Sequence, residues 1–303
     1  MSIRKPVDYI SLVQYAVCIP ISLFALSSLS YLLYRQSKLR QRLISVPILI
    51  NMVTWMVSSF FNLPYVSTAI FSWFAGGIDA TILFWSGGTF LAATTAAPLS
   101  VLFLLLDRCF ILTGSSCLNT KTLHKLNPIC VAADYFIVLA YFYVIEKPDV
   151  KETKCQSFSC LAINKAYIMY CIRLFYGALN TIVALIFACL LYRYNKQRNT
   201  QVKTQIIIDY KTMGSAASRS NIIAGINVMS QIVLNFLPNL ASFTAQQAFG
   251  VTLTSVAGPV VATLSQIDGL CSAIVYLVII GGRVMNGKKV TSIAGPTIIS
   301  RNR

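Results

Sequence analysis

Side chains able to do chemistry are scarce in this chain, and most of those present stand among apolar neighbours. A single histidine, His124, leaves no way to build a multi-histidine metal site. No HExxH, GxSxG, Walker A or GxGxxG run occurs, so the chain is expected not to be an enzyme and to carry no cofactor. What remains is a handful of charges and one pair of cysteines. Asp107 and Arg108 stand together at the end of an uncharged run from Ile82 to Leu106. Arg173, Asp268 and Asp134 interrupt other apolar runs, where an ionisable group is costly and usually faces a protein interior. An acid beside a base can make an ionic contact that opens and closes. A buried arginine can meet a ligand, and a buried carboxylate can gather polar partners or a sodium ion.

The elements that must position these groups follow from composition. With 56% hydrophobic and 11% charged residues and a mean hydropathy of +0.68, a 303-residue chain reads as a membrane protein crossing many times. A helix needs roughly 20 apolar residues to span a bilayer. Windows of that length fall at about 10–34, 44–70, 82–106, 126–145, 166–192, 221–241 and 251–280. The sixth is the most polar, with Asn227, Ser230, Gln231, Asn235 and Asn239 inside it. The expected fold is an all-α membrane protein, a seven-transmembrane helical bundle forming a single domain over 1–303 with a short basic tail at 281–303. The first window is too long for a signal-peptide core and is expected to remain as a span.

Lys and Arg residues sort by side. Eighteen fall after the first, third and fifth windows and in the tail, against six in the N-terminus and the remaining loops. Cytosolic segments carry the excess, so the N-terminus is expected to be extracellular, the C-terminus cytosolic, and Asp107-Arg108 at the cytosolic membrane boundary. The net charge of +16 is spread between apolar runs and forms no single patch, so lipid bilayer is the expected partner and nucleic acid is not. Of nine cysteines, only Cys155 and Cys160 fall in an expected extracellular loop, where their CxxxxC spacing can close a local disulfide or leave both free.

Asp107-Arg108-Cys109 closing the third span resembles the Asp-Arg-Tyr element of G-protein-coupled receptors. Asn235-Phe236-Leu237-Pro238 in the sixth span is similar to the aromatic-x-proline element of the rhodopsin-like class. Two features depart from that class: Ser272-Ala273-Ile274-Val275-Tyr276 keeps only the tyrosine of Asn-Pro-x-x-Tyr, and no cysteine stands at the outer end of the third span. The short N-terminus, the CxxxxC loop, Leu-Asp-Arg after span three and Asn-Phe-Leu-Pro in span six together resemble the nematode serpentine chemosensory receptors, and within them the BC-type class.

That resemblance implies a plasma-membrane receptor of sensory neuron cilia, with a small extracellular ligand and a heterotrimeric G protein as partners. Asp107 and Arg108 would be the G-protein coupling switch, and Phe236, Pro238 and Tyr276 the helix-bend switch. Trp85, Thr89, Arg173 and Asp268 are the expected ligand-pocket residues. For Arg173 the other reading is snorkelling, or pairing with Asp79 or Glu146. Asp268 reads either as a polar or sodium-type switch shared with Asn51 or as a hydrogen-bonded packing residue. The alternative function is a polytopic transporter or channel for small solutes, although no internal repeat of the transporter kind is evident.

Overall fold

A computed structural model describes residues 6–38, 44–76, 78–114, 120–146, 152–153, 158–161, 167–202, 210–250 and 257–281. Its helices are α1 (Pro6–Lys38), α2 (Val46–Ala75), α3 (Ala80–Thr113), α4 (Thr120–Tyr141), the short α5 (Phe158–Leu161), α6 (Tyr167–Val202), α7 (Tyr210–Gln231), α8 (Leu237–Phe249) and α9 (Val260–Tyr276). Turns of π-helix follow α4 at Phe142–Glu146, join α7 to α8 at Ile232–Phe236, and extend α9 over Leu277–Gly281. Seven of the resulting helical stretches are long and apolar enough to cross a membrane, the sixth being Ser218–Phe249 and the seventh Val260–Gly281.

Several helices outrun the apolar windows. The third continues past Leu106 to Thr113 and the sixth past 241 to Phe249, because hydropathy marks where lipid ends and not where the backbone leaves the helix. Gly114 (φ 61°) and Gly250 (φ 65°) supply the left-handed residue that stops each one. Asp107 and Arg108 both lie within α3, ahead of its end at Thr113. The described part of the seventh span runs from Val260, after a bend at Gly258 and Pro259, and residues 251–256 of the expected window lie outside the described residues. Of the basic tail, only Gly281 belongs to the described residues.

α3 is the hub. Its most apolar window is 78% buried, against 17–50% for the other six spans. Small residues make this possible, since Gly87, Gly88, Ala92, Ala93, Ala96 and Ala97 let neighbouring backbones approach. Outward-facing groups such as Phe71, Phe74, Ile137, Phe175, Leu185 and Val278 are exposed, as expected of a surface solvated by lipid.

Where α3 begins, the segment after the fourth span folds back over it. Ile78 and Asp79 pair antiparallel with Thr153 and Glu152. Phe158 on α5 is buried between Phe84 (ring centroids 5.1 Å apart) and Phe142 (4.9 Å). Gly87 makes room, because a Cβ there would meet the Phe158 Cβ at 2.7 Å. A packed aromatic plug thus ties this loop to the third span.

Candidate functional site

The third, fifth and sixth spans enclose a small cavity. It is lined by Pro98 of α3, by Arg173, Gly177 and Asn180 of α6, and by Gln231, Ile232, Asn235, Phe236 and Asn239 along the sixth span. About 10 Å³ of interior is free, room for roughly one water. Gly177 lets the Phe236 ring lie against its backbone; a Cβ at 177 would approach that ring far inside van der Waals contact.

Arg173 is 3% exposed. Its Nη2 donates to Thr94 Oγ1, and its Nε to Thr95 Oγ1 at 3.4 Å. Both threonine hydroxyls spend their own protons on Leu91 O, which leaves their lone pairs to the guanidinium. Nη1 has no partner, and no acid lies within ion-pair distance among the described residues. The reading of Arg173 as paired with Asp79 is corrected, because the Asp79 carboxylate instead accepts from Thr81 N at 2.7 Å and caps α3; the side chain of Glu146, the other expected acid, lies outside the described residues. Snorkelling is also excluded, since the side chain is turned into the bundle.

Behind the cavity lies Asp268, fully buried on α9. It accepts from Ser230 Oγ (2.6 Å) and Gln231 Nε2 (2.6 Å), and from Asn235 Nδ2 at 2.5 Å. Ser265 Oγ donates to Asn235 Oδ1 at 2.7 Å, and Ser272 Oγ to Asn227 Oδ1 at 2.7 Å. This ladder zips the seventh span to the sixth. Its spacing was visible in the sequence: Asn227, Gln231, Asn235 and Asn239 recur every four residues and therefore share one helix face. The polarity of this span is a buried seam. A sodium ion at Asp268 would have to displace donors that already occupy both carboxylate oxygens. No cluster of three metal-ligating acids, cysteines or histidines occurs among the described residues.

Asn51 belongs to a neighbouring network and not to the Asp268 contacts. Tyr276 Oη donates to Asn51 Oδ1 at 2.6 Å, and Asn51 Nδ2 to Ser100 Oγ at 2.7 Å. Second, third and seventh spans are thereby joined at one level. Pro238, with no N–H of its own, stands two residues after Phe236, where the π-turn ends. Asn239 turns its side-chain amide back to Asn235 O at 2.7 Å, supplying a donor where the helix widens.

At the far end of α3, Asp107 and Arg108 are 1% and 4% exposed. Residues adjacent on a helix do not face one another, so the Arg108 side chain folds back to place Nε and Nη2 on Asp107 Oδ2. The other carboxylate oxygen is 2.9 Å from His124 Nε2 on α4. Asp107, Arg108 and His124 thus form a three-residue arrangement. His124 was not foreseen as part of it, because seventeen residues of sequence separate it from Asp107 with no motif between.

Trp85 and Thr89 do not line this cavity. Trp85 packs on Phe84 and Tyr143 near the plug, and Thr89 Oγ1 donates to backbone carbonyls of its own helix. Asp268 stands one hydrogen bond outside the lining, behind Gln231 and Asn235. The expected Cys155–Cys160 bridge lies outside the described residues: Cys155 is not among them, and the Cys160 side chain is not described. No family model and no curated protein matches the chain.

Proposed function

We propose that this chain is a seven-helix receptor of the plasma membrane, with its N-terminus extracellular and its C-terminus cytosolic. It takes up a small ligand from outside and activates a heterotrimeric G protein inside. The observation that carries this reading is that one helix, α3, bears two polar sites. Thr94 and Thr95 hold Arg173 at the cavity, and Asp107 holds Arg108 fourteen residues further on, about 21 Å away at 1.5 Å per residue. A ligand that shifts α3 or the sixth span at the first site alters the contacts of the second. The π-turn and Pro238 make the sixth span the element best suited to move. The sequence resemblance adds the chemosensory role, the nematode serpentine family and the ciliary location.

The test is expression with a promiscuous G protein, a calcium readout, and a screen of volatile and water-soluble cues. Arg108→Ala should reach the surface, keep ligand binding and lose coupling. Asp107→Ala should raise basal activity, because the restraint on Arg108 is gone. Parent-like signalling by both variants at equal surface density would refute the reading. Tagging each terminus in intact cells tests the orientation separately.

A further inference from the structure

We infer that the cavity beside Arg173 recognises a small carboxylate carrying an adjacent hydrogen-bond donor, a hydroxy or amino acid in chemical class. The inference rests on the reading of this cavity as the ligand site and names what that site is built to hold.

The first argument is charge. A guanidinium has five N–H donors, and those of Arg173 meet only two neutral threonine oxygens among the described residues. A cation this deeply buried is stable only with a counter-charge or full hydrogen bonding, and Arg173 finds neither among the described residues. Asp268 does not serve, because Ser230, Gln231 and Asn235 enclose it and it contributes no atom to the cavity wall. A carboxylate is the planar acceptor that matches a guanidinium edge.

The second argument is the set of acceptors opposite. Asn180 donates its amide to Pro98 O (2.9 Å) and Asn239 to Asn235 O (2.7 Å), which leaves Asn180 Oδ1 and Asn239 Oδ1 buried without donors. One unpartnered cationic donor and two unpartnered carbonyl oxygens therefore belong to residues that line the same cavity. A bare halide satisfies the first and leaves the other two empty. A ligand that joins a carboxylate to an ammonium satisfies all three, and one that joins it to a hydroxyl, with its single proton, satisfies the cation and one of the two carbonyls.

The third argument is size. The free interior holds roughly one water, so a carboxylate enters only when Phe236 leaves its seat on Gly177. Phe236 ends the π-turn of the sixth span, so occupancy of the site and the shape of that span are linked.

The experiment uses the purified full chain in nanodiscs, with sodium glycolate and sodium acetate as probes and acetamide and sodium chloride as controls at matched ionic strength. Thermal melting and calorimetric titration are the readouts. Saturable binding is expected for glycolate, weaker binding for acetate, and none for acetamide or chloride. Arg173→Gln should weaken glycolate at least tenfold. Where that variant does not fold, Arg173→Lys keeps the charge, loses the planar pair of donors and should weaken glycolate as well. Asn239→Leu should erase the preference for glycolate over acetate while acetate still binds. Phe236→Ala should tighten both probes. Binding of chloride equal to that of acetate, equal response to acetamide, no saturable binding at all, or unchanged affinity in the Arg173 variants each overturns the proposal. Because these readouts need no G protein, glycolate binding without signalling would count against the receptor reading alone.

Discussion

His124 Nε2 lies 2.9 Å from Asp107 Oδ1, so the carboxylate that holds Arg108 is itself held from the fourth span. Asp107 divides its two oxygens between a cation on its own helix and an imidazole on the next. Any movement of α4 against α3 therefore reaches Arg108 through one shared carboxylate.

Replacing His124 with alanine should raise basal signalling in the same direction as Asp107→Ala but by less. A hydrogen bond to a charged group contributes about 1.5–3 kcal/mol, while Asp107→Ala also removes the ion pair. Basal G-protein activation at matched surface density measures this. Basal activity equal to the parent would show that Asp107 holds Arg108 without help from α4.

Asp268→Asn should reach the surface with a melting temperature lowered by the equivalent of about 1–3 kcal/mol. An amide presents N–H groups where Ser230, Gln231 and Asn235 all donate, so at least one donor loses its acceptor. The agonist response should change with it. Its dependence on sodium, compared with choline, distinguishes a cation site from a seam of hydrogen bonds.

Gly177→Ala should destabilise by about 1–3 kcal/mol, since the added methyl meets the Phe236 ring in a packed interior. Phe236→Ala in the same chain should recover much of that loss by emptying the space. Additive effects of the two substitutions in a double-mutant cycle would show that the ring does not rest on this glycine.

If Cys155 and Cys160 are bridged, an impermeant thiol reagent should label surface protein only after reduction. Equal labelling before and after would show two free thiols. Cys155→Ser with Cys160→Ser should then leave surface delivery unchanged, because β1–β2 pairing and the Phe158 plug anchor the same loop independently.

The number of spans and the presence of charges inside them were fixed by the sequence alone. Bilayer thickness sets a length, and an apolar run either reaches it or does not, so seven spans can be counted without knowing any contact. Arg173, Asp268 and Asp107-Arg108 stood out for the same reason: a charge in an apolar run is visible in one dimension. Their partners were not. Whether Arg173 meets Asp79 or Thr94, and whether Asp268 faces Asn51 or Asn235, depends on how each helix is rotated about its axis, and one residue of slip turns a side chain through about 100°. Burial of residues far apart in sequence decides that rotation. Tertiary structure alone therefore brought His124 to Asp107, set Phe236 on Gly177, and left Arg173 turned inward with a donor that no residue of its own sequence neighbourhood fills.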